Sequence, residues 1–220
     1  MSPYFPPATP SGPSTATTDA TIASLIGSPL TKAALSATYA PRDPNVLASG
    51  EIIPKRDTWS ADYRGPVAGM MALAYFSART TETINSLSVY TGITAGVGIT
   101  LARLGIYAID SAGAGTLVAS TANDPTLFGA TYTEYNRALT TPWSKVAGQR
   151  YATALLYVGA TTAPNFHGIQ YAGTGIVASI LGLDPVLTQR MTGLTNLPAT
   201  FAKAALGGSL QYILAMRLVP

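Results

Sequence analysis

The chain has 220 residues, no cysteine, a formal charge of +3 and only 10% charged residues. Without cysteine there is neither a disulfide framework nor a thiolate metal site, and basic residues scattered as at Arg42, Lys55, Arg56, Arg64, Arg79 and Arg103 speak against phosphate tracking along nucleic acid. The length suits one domain of common size with a small appendage, and a surface built largely from Gly, Pro, Ser, Thr and Ala suits a packed assembly better than a freely soluble enzyme.

The opening "MSPYFPPATPSGPSTATTD" has no basic n-region and no apolar h-region, so it reads as something other than a secretory signal. Pro3, Pro6, Pro7, Pro10 and Pro13 block both helix and ladder, which predicts an extended arm over residues 1–18. Tyr4 and Phe5 are its large apolar groups; the arm is either a tail or a segment that orders on a neighbouring subunit. Asp19 can cap a helix whose Ile22, Leu25 and Ile26 share a face and which Gly27 stops. Ser28 and Pro29 start a second helix carrying Leu30, Ala33, Ala34, Ala37 and Tyr39 as far as Pro41. Helices this short are marginal alone. They must fold back on the rest of the chain or meet copies of themselves, and the linker-like "APRDPN" favours copies.

Residues 46–66 mix charge and turn residues and read as an irregular linker. Strand patterns follow. "VAGMMALAYF" is too short for the ~18 apolar residues of a membrane span and reads as a buried strand. "TINSLSVYT", "ITLARLGIYAID", "GTLVAST", "TEYNRAL" and "QRYATALLYVG" come next, and "SLQYILAMRLV" closes the chain with Leu210, Tyr212, Leu214, Met216 and Leu218 on one face. "AIDSAGAGTLVAS" predicts a hairpin turning at Gly113 and Gly115 with positive φ. Pro164 to Phe201 has weak periodicity and predicts long loops with one strand at "GIVASIL". The fold class is mainly β, an antiparallel β-sandwich of jelly-roll type preceded by the arm and helical stem.

Candidates for chemistry are sparse. His167 is the one histidine, no nucleophile elbow G-x-S-x-G occurs, and "NFHGIQ" reads as an exposed turn or a satisfied histidine. Glu51, Asp57 and Asp62 have the residue type of a glycosidase pair but sit among Lys55, Arg56 and Arg64, as linker charges do. Asp110, Asp124 and Asp184 stand where turn-capping Asp is expected. "GVGIT" and "GTGIV" read as turns, since neither follows a strand and opens a helix as a phosphate loop requires. No metal-ligand spacing is evident, so no catalytic, cofactor or metal residue is assigned. Tyr132, Tyr135, Trp143 and Tyr151 cluster in sequence. They are either sheet core or a platform at a sandwich edge on which a sugar ring stacks, with Asn136, Arg137 and Gln149 as polar partners.

The Pro-rich start, the helical "DATIASLIGSPLTKAALSATY", and a Gly/Thr-rich β region containing "RLGIYAIDSAGAGTLVASTANDPTLF" and "WSKVAGQRYATALLYVG" together resemble minor tail and fibre-like virion proteins of phages that infect actinobacteria. The chain is much shorter than a long tail fibre and lacks coiled-coil heptads. The resemblance implies a non-enzymatic structural protein of the virion, without a cofactor and without nucleic-acid or membrane partners. Residues 1–45 would attach and trimerise through Tyr4, Phe5, Ile22, Leu25, Ile26, Leu30, Leu35 and Tyr39. Residues 46–66 would link them to an outward β-sandwich, residues 67–220, whose Tyr132, Tyr135, Trp143, Asn136 and Arg137 would face a host surface glycan. Other virion proteins of tail or capsid are the implied partners. A capsid decoration or head-fibre protein, and more remotely a polysaccharide-degrading enzyme, are the alternatives.

Overall fold

The computed structural model describes residues 46–47, 50–53, 60–170, 188–208 and 212–220, all within the compact unit Asp43–Pro220. The arm and helical stem expected over residues 1–45, and the strand expected at 175–181, lie outside the described residues.

What is described is mainly β, and every strand pairing is antiparallel. The strands are β1 Val46–Leu47, β2 Gly50–Ile53, β3 Ser60–Arg64, β4 Met71–Ser77, β5 Glu82–Tyr90, β6 Leu101–Ile109 and β7 Gly115–Ser120. They continue with β8 Glu134–Lys145, β9 Arg150–Val158, β10 Asn165–Gln170, β11 Thr188–Met191, β12 Thr200–Phe201, β13 Tyr212–Leu214 and β14 Met216–Val219. One sheet has the order β1-β2-β14-β5-β8, a second β11-β4-β9-β6-β7-β12, and a small third β13-β10-β3.

The two larger sheets share a core. Ile84, Leu87 and Val89 of β5 and Met216 and Leu218 of β14 pack in one cluster with Leu104 and Ile106 of β6 and Leu155 and Tyr157 of β9. Within each strand these residues alternate, so the period-two pattern places them on the inner face, except that Ile84 and Leu87 are three apart and share that face through the register shift between Ile84 and Ser86. Full burial of a side chain of this size contributes about 1.5–3 kcal/mol. β9 departs from alternation: residues 151–157 are all buried. Its outer side carries Ala152, Ala154 and Leu156, which pack with Met71, Leu73 and Tyr107 against Leu197 and Phe201. A strap running through residues 192–206 therefore covers the outer face of the six-stranded sheet. The Tyr107 hydroxyl donates to the Pro198 carbonyl at 2.8 Å, and the Leu117 amide donates to Ala199 at 2.8 Å. A strand covered on both faces is apolar throughout.

Several expectations need correction. The segment read as a linker contains β1, β2 and β3. "NFHGIQ" is a strand, β10, because its backbone pairs with both β3 and β13. "SLQYILAMRLV" is two strands in different sheets, divided at Ala215, whose amide donates to the His167 carbonyl at 2.9 Å. The alternation nevertheless runs through the break, and Leu214, Met216 and Leu218 are all buried. In the β6–β7 hairpin Gly113 has φ +81, as expected, whereas no positive φ occurs at Gly115. Gly115 is required for closeness: a Cβ there would enter the Phe201 ring of the strap.

β8 ties the two sheets together along one side. Its pairing with β5 slips between Ile84↔Trp143 and Ser86↔Ala138, so residues 139–142, ending at Pro142 with no N–H to offer, bulge from the ladder. Leu139 bridges instead to Thr121, and the Thr140 hydroxyl donates to the Ser120 carbonyl at 2.9 Å. Residues just beyond β7 and at its end are thereby joined to the opposite sheet.

Candidate functional site

The strand ends fall into two groups. At one end lie the turns 78–81, 110–114 and 146–149; at the other lie the loops 91–100, 121–133 and 159–164. The short-turn end carries Arg79, Glu82, Asp110, Lys145, Arg150 and Lys203. At the long-loop end, segments 91–100, 125–133 and 159–168 contain no Asp, Glu, Lys or Arg.

The long loops are laced together. The Gly96 amide donates to the Phe128 carbonyl (2.7 Å), the Tyr132 amide to Gly92 (3.0 Å), the Gly92 amide to Asn165 (2.7 Å) and the Asn165 amide to Thr94 (2.9 Å). The Thr91 hydroxyl donates to the Ala130 carbonyl at 2.8 Å and accepts from the Thr133 amide at 3.0 Å. Asp124 begins the 124–133 segment as an Asx turn, its carboxylate accepting from the Thr126 amide (2.9 Å) and hydroxyl (2.6 Å). That capping role was legible from its place between Asn and Pro. Asp110 does the same for Ala112 and Ala114 in the β6–β7 turn. Asp184 lies outside the described residues.

Two residues in this loop adopt positive φ without being glycine: Phe128 at 75° and Tyr132 at 49°. Such a conformation costs on the order of 1–2 kcal/mol per residue. Phe128 offsets its cost by burial. Its ring is fully buried and meets Phe166 at 4.9 Å, Tyr135 at 6.2 Å and Tyr157 at 6.3 Å, all edge-on, a favoured geometry for aromatic quadrupoles. Burial pushes the Tyr157 hydroxyl up to about 12; it donates to the Pro66 carbonyl. Tyr132 has no such return, for it is 63% exposed. Its ring stands 6.0 Å from that of His167, tilted by 39°. Ile93 and Val97, 56% and 55% exposed, project from the adjoining loop.

The residues expected to form a sugar platform are not assembled into one. Tyr135 is buried, its hydroxyl accepting from the Ala130 amide at 2.6 Å. Arg137 lies over the Tyr135 ring at 5.4 Å and its Nε pairs with Asp124 at 2.6 Å. Asn136 has the opposite parity on β8 and is exposed beside an Arg217–Glu134 ion pair of 2.6 Å. Trp143 stands at the far end of β8, half-buried and edge-on to Tyr151 at 4.7 Å, with Gln149 in the turn of that same end. Among these residues Tyr132 alone is both aromatic and exposed. Glu51 and Asp62 fall on β2 and β3, strands of different sheets, and their side chains, like Asp57 and the arm and stem residues Tyr4 to Tyr39, lie outside the described residues.

Sequence reasoning missed Ile93, Val97 and the nearness of His167 to Tyr132. The lack of charge across three separate segments was the one signal available, and it becomes meaningful when those segments share an end. Among the described residues no group of three His, Asp or Glu is placed to hold a metal ion. A cavity of about 10 Å³ beside Ala74, Thr153, Thr188 and Tyr212 has room for about one water, not a substrate. No helix among the described residues is long and apolar enough to cross a membrane. Neither a protein-family model nor a curated protein matches the chain in sequence.

Proposed function

We propose that this chain is a phage virion structural protein, a minor tail or fibre-like component in which residues 1–45 attach and trimerise and the β domain, a jelly-roll sandwich, is displayed outward toward a host surface glycan. The observation that carries this reading is the strand order. Counting β2, β4, β5, β6, β7, β8, β9 and β14 as strands one to eight, the larger sheets contain the runs 1-8-3-6 and 2-7-4-5. The chain changes sheet at most steps, with β10 to β13 inserted between the last two strands, and this order supports the jelly-roll reading. Jelly rolls recur in viral capsid and lectin domains, and the step from that winding to a virion role is an analogy of fold. The contrast between short turns at one end and long loops poor in charge at the other gives the domain a direction, as a displayed module needs.

Gold-labelled antibody against the chain, applied to purified particles, tests the location. Label on the tail is the expected result; label on the shell favours a capsid decoration protein, and particles free of the protein overturn the reading. Sedimentation of the full chain is expected to give three times its 22.7 kDa mass, and a monomer at all concentrations would remove the trimer.

A further inference from the structure

We infer that the long-loop end is a binding site for a neutral glycan, with the Tyr132 ring as the face on which a sugar stacks. This rests on the reading of the β domain as an outward-displayed module, and names the ligand class and the place. Charge decides the class. Segments 91–100, 125–133 and 159–168 contain no Asp, Glu, Lys or Arg, and the charges that border them are engaged in ion pairs, Asp124 with Arg137 and Glu134 with Arg217, each at 2.6 Å. An anionic polymer or a charged protein face would have to compete for those charges, whereas a neutral polyol needs none. The exposed groups are instead an aromatic with a polar tip, two aliphatics, and Thr131 and Thr162. A tyrosine offers an apolar face to the C–H side of a sugar ring and a hydroxyl to its edge.

Size separates a small ligand from a second protein. The Tyr132 side chain, 63% exposed, presents roughly 100–150 Å² on the scale of about 150–250 Å² for an aromatic residue. That is well under the ~800 Å² each partner contributes to a standard protein interface. The presentation is also rigid. Gly92 and Thr91 hold the loop backbone around Tyr132 by the hydrogen bonds given above, so little ordering cost remains for binding. A strained φ kept at an exposed residue, with no burial to offset it, is the pattern expected where geometry serves recognition.

Titration calorimetry and saturation-transfer NMR of the full chain against neutral oligosaccharides from mannan, galactan and arabinan, with polygalacturonate as the anionic control, test this. A neutral oligosaccharide should bind with an affinity indifferent to salt. Tyr132→Gly should lower that affinity about tenfold or more, equivalent to about 1.4 kcal/mol, without lowering the thermal midpoint, and Tyr132→Phe should retain most of it. The proposal is overturned if no neutral member binds, if Tyr132→Gly binds as the parent does, if polygalacturonate binds best and is released by salt, or if the patch instead drives self-association that Tyr132→Gly abolishes. Particle labelling is scored separately. Label without glycan binding overturns the site alone, and glycan binding without label leaves the site standing and removes the virion reading.

Discussion

At one end of the β domain the chain turns within 78–81, 110–114 and 146–149, and at the other, where Asp124 is the one charged residue in the loops, it wanders through 91–100, 121–133 and 159–164. The short turns are held by ordinary devices, a glycine at φ +81 in each of two of them and an Asx turn at Asp110. Their one costly feature is Lys145, whose ammonium is fully buried and meets Glu82 at 2.7 Å. The long loops hold strained backbone at Phe128 and Tyr132 and are anchored by a cluster of aromatic rings. One end uses electrostatics to fasten β5 to β8; the other uses aromatic burial to fix an exposed ring in place. The two ends of the same strands are thus fastened by different means, an ion pair at one and packed rings at the other.

The comparison is broken most forcefully at Phe128. Phe128→Ala removes a fully buried ring from its contacts with Phe166, Tyr135 and Tyr157 and should destabilise by about 3–5 kcal/mol; a urea titration showing under about 1 kcal/mol would deny that the ring anchors the loops. Next comes the short-turn end. Glu82→Ala leaves the Lys145 ammonium buried without the carboxylate it faces and should cost about 3 kcal/mol, while Glu82→Leu with Lys145→Met should recover most of that loss. A double variant no better than the single one would mean that the pair does not act as a unit.

The smallest effect sharpens the contrast through pH. Burial pushes the Asp124 carboxyl up, but hydrogen bonds from Thr126 and Arg137 and the Arg137 charge outweigh it and hold the group below its ordinary 3.8. A carboxyl whose folded value is depressed stabilises the fold above its unfolded value and loses that contribution as pH falls through the folded one. The stability advantage of the parent over Asp124→Asn should therefore be level above about pH 4, under about 1 kcal/mol at this partly exposed site, and should vanish on further acidification. An advantage that grows toward low pH would reverse the assignment.

Much of the β domain was legible in the order of residues. "VAGMMALAYF", "TINSLSVYT" and "QRYATALLYVG" became β4, β5 and β9 because apolar residues at strand spacing, bounded by Gly and Thr, leave few other ways to bury a face. The candidate site was legible only at Tyr132. Tyr135 and Trp143 share its strand or its neighbourhood in sequence, yet parity turns Tyr135 inward and the length of β8 carries Trp143 to the other end. Neither His167 nor Ile93 carries a local mark of belonging beside Tyr132, since the hydrogen bonds that bring them there run between segments far apart in the chain.

By itself, then, the sequence determined that this is an antiparallel β protein with Asp-capped turns, because strand period and turn chemistry depend on near neighbours along the chain. The tertiary structure alone decided that residues 212–219 divide between two sheets, that residues 192–206 cover the outer face of β9, and that the three long loops gather at one end. Each depends on which surfaces meet across the sandwich, a choice made by packing between distant segments that no local pattern encodes.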